Sequence, residues 1–237
     1  MVRDRWRWLR ARLPRTNNGE TLIDVGCGTG AFTICAALRG YRATGLTWDE
    51  SDQQAALGKA AIIGVSAIRF DICDVRNLAA KTEYLNKFDV AICCENIEHI
   101  LDDKRLVHAI YGTLRPGGRL YLTTPNYYFR AVTNTDNGPY SKVEDGGHVR
   151  RGYSRGSLSE LFSGSGFVIE EITYCSGFLS QRITTLLRQF RGDTYVVGWL
   201  LTLPLRLLIP PLDRLLGSVL SFPPASICIE VYKPRQG

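Results

Sequence analysis

The chain has 237 residues, 45% of them hydrophobic and ten of them proline, enough for one substantial core and too few for several domains. Its net charge of +6 is local, because Arg3, Arg5, Arg7, Arg10, Arg12 and Arg15 face Asp4 alone near the start and the remainder is nearly neutral. Seven cysteines without a C-x-x-C pair and three histidines without metal-ligand spacing exclude a zinc ribbon and a disulfide framework, and no charged segment leads into an apolar leader. The expectations are therefore free thiols, no metal and a cytoplasmic address.

Residues 1–19 read as a basic helix with Trp6, Leu9 and Leu13 as its apolar stripe. Its arginines are either a solvated face or a contact for a phosphate-rich partner or an anionic membrane. Apolar runs at Thr21 to Val25, Arg42 to Leu46, Ala67 to Phe70, Phe88 to Cys93 and Leu120 to Thr123 predict strands, with helices over Ala31 to Arg39, Asp52 to Ile63 and Lys104 to Leu114 between them. Such a β-α-β-α succession predicts a mostly parallel α/β sheet with helices on both faces. "LRPGGRL", Leu114 to Leu120, predicts a helix stop and a tight turn before the fifth strand. The polar stretch "NTDNGPYSKVEDGG" predicts a functional loop, followed by a helix from Ser154 to Ser165 and strands at Phe167 to Tyr174 and Ser226 to Lys233. The last two strands close the sheet as an antiparallel pair, with an inserted helical element between them.

"TLIDVGCGTGAF" places three glycines directly after the first strand. A turn at the carboxyl end of the first strand of an open α/β sheet is where such folds bind ligands, and glycine lets backbone amides approach closely. Dinucleotide binding normally uses G-x-G-x-x-G against a pyrophosphate. Here the spacing is Gly26-x-Gly28-x-Gly30 behind Asp24, which suits a ligand without phosphates and with a cationic end. The alternative is a plain strand-to-helix turn.

Further pieces follow in order: "FDICDV" at Phe70 to Val75, "KFDVAICCENIEHI" at Lys87 to Ile100, and "LRPGGRLYLTTPN". This series resembles the class I S-adenosylmethionine-dependent methyltransferases, well over Leu22 to Asn126 and loosely over Gly147 to Phe167. The resemblance implies a Rossmann-like seven-stranded sheet with one antiparallel strand and a single domain. Within it, residues 20–126 form the cofactor core, and residues 127–237 hold a substrate-side loop, the last strands and a hydrophobic helical insert over 178–222. It also implies that the backbone of Gly26, Cys27, Gly28 and Gly30 lies under the methionine and ribose of S-adenosylmethionine, and that Asp24 orients its amino group. Asp74 and Val75 would read adenine, and Cys94 would offer main-chain contacts beside the sulfonium. For Asp74 the alternative is a helix cap. Many members carry an acid at the end of the second strand, where this chain has Thr47 in "GLTWDE", a variant that resembles methyltransferases related to cyclopropane synthases. Asp49 then either binds ribose or caps the next helix, and Trp48 either shields the cofactor or packs.

The same resemblance marks two histidines. His99 in "IEHI" resembles the E-H pair of the ubiquinone-biosynthesis O-methyltransferases, and His148 in "GGHVRRGYS" stands where that group and related sugar methyltransferases carry an active-site histidine. Histidine is the natural base at neutral pH, and either residue has a structural alternative. Tyr127, Tyr128, Arg150 and Tyr153 are candidate acceptor walls, with loop packing as the alternative. The absence of N/D-P-P-Y/F after the fourth strand disfavours nucleic acid. Residues 195–220 are apolar but broken by prolines and charges, so they read as a lid, a dimer contact or an interfacial membrane element. The expected activity is methyl transfer to a small molecule, on oxygen of a hydrophobic, sugar or lipid-type metabolite, leaving S-adenosylhomocysteine. The rivals are C- or N-methylation and a catalytically silent cofactor-binding partner of a biosynthetic assembly.

Overall fold

A computed structural model describes residues 2–131, 134–190 and 219–235, together with Gly198, Leu200, Thr202, Asp213 and Leu216. Strands β1 (Thr21–Val25), β2 (Arg42–Thr47), β3 (Ile68–Ile72), β4 (Phe88–Cys94) and β5 (Leu114–Pro125) alternate with α2 (Ala31–Ala37), α3 (Glu50–Ile63) and α4 (Asp103–Thr113), after an opening helix α1 (Val2–Arg12). They pair in parallel, as right-handed crossovers dictate. After α5 (Arg155–Ser163) come β6 (Val168–Cys175), α6 (Phe178–Gln189) and β7 (Ser226–Tyr232). The sheet order is β3-β2-β1-β4-β5-β7-β6, and β7 runs antiparallel to both neighbours. This is the expected seven-stranded sheet, and its order reverses between β1 and β4, which opens a crevice at their carboxyl ends.

Strand residues alternate between two buried faces, as a two-residue period requires. Ile23, Ala91, Leu120 and Ile229 pack under α4 and α5 with Leu106, Ile110 and Phe162. Leu22, Ile92, Tyr121 and Cys228 pack under α1 and α2 with Trp8, Leu9 and Leu13. Ser154 caps α5 as predicted, accepting from Ser157 N at 3.1 Å, while Ser157 returns a bond to Ser154 N.

Two expectations change. The stretch read as a turn before the fifth strand lies within β5, which starts directly at Leu114. A register shift opposite Phe88 and Val90 and a left-handed Gly117 (φ 86°) absorb the irregularity. The arginines of α1 are not all solvated. Arg3, Arg7, Arg10 and Arg15 are exposed, but Arg5 is buried and pairs with Glu95 at 2.5 Å, and Arg12 pairs with Glu230 at 3.0 Å and with Glu171. Positions 5 and 12 lie two helical turns apart on the sheet-facing side. The free cysteines are buried at Cys73, Cys93, Cys94 and Cys228 and half-buried at Cys27, Cys35 and Cys175.

The expected insert opens with α6, whose first-turn amides of Leu179 and Ser180 donate to the Asp213 carboxylate at 2.7 and 3.2 Å. Apart from single positions, residues 195–220 lie outside the described residues. No described helix is long and apolar enough to cross a membrane.

Candidate functional site

The crevice begins at the glycine turn. Gly26, Gly28 and Gly30 all have left-handed φ, of 80°, 48° and 78°. A Cβ on Gly26 would stand 2.4 Å from Asn96 Cγ, and one on Gly30 2.8 Å from Ala56 Cβ and the Phe70 ring, so both serve close packing. A Cβ on Gly28 would meet nothing nearer than Asp52 Oδ2 at 3.8 Å. Its bare backbone faces open space, as a cradle for a ligand must. Behind the turn, Asp24 is buried and accepts from Thr33 Oγ1 at 2.7 Å, and burial pushes its carboxyl up to about 7. Such a carboxylate is stabilised by a cation beside it.

A cleft of about 260 Å³ opens over this turn. Of the predicted cofactor residues, Gly26, Gly28, Thr47, Trp48, Asp74 and Val75 line it. Asp24, Cys27, Gly30, Asp49 and Cys94 are not among its lining residues. Asp49 is the N-cap of α3, accepting from Asp52 N at 2.9 Å and from Ser51 Oγ at 2.5 Å. Cys94 is buried at the end of β4, and Glu95, in the left-handed region at φ 52°, and Asn96 reach the cleft in its place. Asp74 opens a short 3-10 turn, Val75–Ala80, and receives Arg76 Nε at 2.8 Å, so its carboxyl is held below the usual range chiefly by that guanidinium. Asp74 is thus a cap and a cleft residue at once.

At the far end, His99 lines the cleft in the turn Ile97–His99, and its Nδ1 lies 3.0 Å from Gly147 O. A carbonyl only accepts, so Nδ1 carries a proton and Nε2 is the ring nitrogen left for an acceptor molecule. The His148 ring stands edge-on to it, with centroids 4.7 Å apart. Partial desolvation, and then His99 itself, lower the His148 value below that of an ordinary histidine. Glu98 lies buried behind them. Its Oε2 accepts from Thr124 Oγ1 at 3.1 Å, while Oε1 has no hydrogen-bond partner among the described residues, and burial pushes the carboxyl well up. One donor atom each from Glu98, His99 and His148 lies within 4.8 Å of the others, a grouping capable of holding a metal ion that their spacing in the chain does not announce.

The four expected acceptor walls separate. Tyr127 and Tyr128 are exposed and edge-on at 5.3 Å. Arg150 donates to Ile100 O at 2.6 Å, Leu101 O at 2.9 Å and Tyr153 Oη at 2.7 Å, and Tyr153 is buried and donates to Asp103 at 2.7 Å. These two brace the loop, since their polar atoms are already committed. Sequence reasoning missed Asp52, Cys73, Arg76, Glu95, Asn96, Ile100, Glu144 and Gly146 in the lining. Arg76, Glu95 and Asn96 adjoin quoted motifs and were within reach of that reasoning, whereas Glu144 arrives from a loop with no motif of its own.

The fold has known counterparts. Residues 2–172 match the model of a family described as a methyltransferase domain. The ubiquinone biosynthesis O-methyltransferase of Marinobacter nauticus is 33% identical over 111 residues, covering 46% of this chain and 45% of that one. The chain spans about half the length of the curated relatives it matches. Among solved structures, the [4+2]-cyclase SpnF is similar with TM-score 0.67 at 22% identity, over 98% of this chain and 82% of that one. Phosphoethanolamine N-methyltransferase 2 of Haemonchus contortus, in complex with S-adenosyl-L-methionine, is similar with TM-score 0.66 at 18% identity, over 98% of this chain and 52% of that one. At such identities these two likenesses show the fold alone. The family match covers well over half of the chain, so it belongs to the methyltransferase domain family, on the Rossmann-like fold of the class I S-adenosylmethionine-dependent methyltransferases.

Proposed function

We propose that the chain transfers a methyl group from S-adenosylmethionine to a small-molecule acceptor, and that the accepting atom is a hydroxyl oxygen of a hydrophobic, sugar or lipid-type metabolite. The observation that carries this reading is a single cleft lined both by the bare Gly28 backbone and by His99. When bound, the sulfonium supplies an electrophilic methyl. The rest falls to the chain.

Asp24, buried and short of a cation, suits the α-ammonium end, and the Gly26 and Gly28 backbone suits the methionine and ribose. Thr47 and Trp48 flank the ribose, and Asp74 with Val75 and Arg76 forms the adenine end. His99, its Nδ1 proton held by Gly147, turns a basic Nε2 toward an acceptor hydroxyl that must lose its proton as its oxygen attacks. His148 is the second candidate base. In-line placement of oxygen and methyl is the remaining contribution. A histidine placed to take a proton suits a hydroxyl acceptor, whose oxygen must lose its proton as it attacks the methyl. Arg5 and Arg12 are committed to carboxylates, which weakens any case for nucleic acid, while exposed Arg3, Arg7, Arg10 and Arg15 support a peripheral contact with an anionic membrane.

Calorimetric titration with S-adenosylmethionine and, separately, NAD tests the reading. Expected is binding of the first alone, weakened about tenfold or more in Asp74→Ala, a loss of about 1.4 kcal/mol. Radiolabelled methyl transfer to phenolic and amine acceptors then separates oxygen from nitrogen. Failure of a folded protein to bind S-adenosylmethionine would overturn the proposal.

A further inference from the structure

The loop beside His148 is exposed at Lys142, Val143, Asp145, Gly146, Gly147 and His148. Glu144 alone turns inward, with its side chain 20% exposed. Its two carboxylate oxygens reach opposite walls of the cleft. Oε1 accepts from Leu101 N at 2.6 Å, next to His99 and Ile100. Oε2 accepts from Arg76 Nη1 at 3.1 Å, and Arg76 in turn holds Asp74. One carboxylate therefore spans the mouth from the histidine side to the adenine side.

The rest of the loop is tied down elsewhere, Arg151 donating to Tyr127 O at 2.8 Å and Phe129 O at 3.0 Å and Arg150 to Ile100 O and Leu101 O, and none of these bonds crosses to Arg76. Gly147 O takes His99 Nδ1 at 3.0 Å, and Val149 N donates to Glu98 O at 3.0 Å. Left-handed glycines at Gly138 (φ 93°) and Gly152 (φ 125°) bracket the segment, and a Cβ on Gly146 would lie 3.7 Å from the Trp48 ring. Without the Glu144 side chain, the long contact of Arg76 Nη1 with the Glu144 backbone carbonyl, at 3.5 Å, is all that the described residues offer to tie the loop across to Arg76.

We propose that residues 138–152 are a cover over the cofactor cleft and that Glu144 is its latch, a positioning residue that holds the cover shut against Arg76 and keeps His148 beside His99. The inference rests on the proposed function, because it takes the cleft to be the cofactor site. Entry and exit of a ligand under the cover then require the Glu144 bonds to break and reform. A merely structural role for Glu144 would leave the rate of entry unchanged.

The test is stopped-flow tryptophan fluorescence of S-adenosylhomocysteine binding, with Trp48→Phe as the control that identifies the reporter. Expected are association and dissociation rate constants both raised about tenfold in Glu144→Ala, the size of effect that a partly buried, charge-assisted contact supports. Glu144→Gln keeps an acceptor for Leu101 N and loses the charge on Arg76, so it falls between the two. Raised salt moves the wild type toward the alanine variant. Equal association rates in wild type and both variants would overturn the latch while leaving the proposed function intact. Failure of the wild type to bind S-adenosylhomocysteine would instead overturn the proposed function, and the latch with it.

Discussion

Gly26 shows how one position can be constrained twice. Its φ of 80° disfavours any side chain, and a Cβ would stand 2.4 Å from Asn96 Cγ, on a neighbour that lines the same cleft. Gly26→Ala is expected to cost about 1–3 kcal/mol in urea unfolding and to weaken cofactor binding by pushing Asn96 aside. Gly28→Ala, with open space and only the backbone penalty, separates strain from packing. His148 is constrained electrostatically. Partial desolvation and His99 lower its value against a smaller opposing pull from Asp136, so the neutral ring is favoured in the folded state. The stability this contributes is present above the ordinary histidine range and is lost as pH falls through the lowered value. The pH–rate profile should therefore show an acid limb below about pH 6.5, the ordinary histidine value, and the limb should be lost in His148→Gln if that ring takes the proton. The glycine turn was legible as a cleft wall, and so was the place of His99, because each follows a strand end in a short motif. The Glu98 grouping was not, because His148 reaches it from a distant loop.

At the scale of elements, α1 is more than a basic appendage. Arg5 donates to Glu95 at 2.5 Å and to Ser226 Oγ at 3.2 Å, so it ties the opening helix to the tip of β4 and the start of β7. Glu95 lines the cleft, and its other oxygen accepts from Thr123 Oγ1 at 3.2 Å. Removing the arginine leaves a largely buried carboxylate unpaired. Arg5→Ala is expected to lower stability by about 3 kcal/mol, and Arg5→Ala with Glu95→Ala to recover part of it, in a thermal-unfolding double-mutant cycle. Strand and helix bodies were readable from periodicity: β1 runs over the predicted Thr21 to Val25, and Ser154 caps α5 as predicted. Pro116, Gly117 and Gly118 read as a turn yet lie inside β5, because a bulge there lets the strand keep pairing. The Arg5 pair joins residues 90 apart, and no local pattern announces it.

At the scale of the molecule, the parallel half and the antiparallel half have different origins in the chain. The first five strands pair with one another, whereas β6 pairs as a strand with β7, and β7 lies between β5 and β6. This order was legible only through family resemblance, since hydrophobic alternation gives strands and not their neighbours. It also sets a schedule for synthesis. A nascent chain that has emerged through Cys175 holds β5 with one edge open and β6 with no partner at all, and both wait some fifty residues for Ser226–Tyr232. Unpaired strand edges are templates for pairing with other chains, so this interval is when the protein is most exposed to self-association and most dependent on protection. Placing Ser226–Tyr232 inside the sheet rather than at its rim makes the emergence of that strand, not hydrophobic collapse of the first half, the event that completes the sheet.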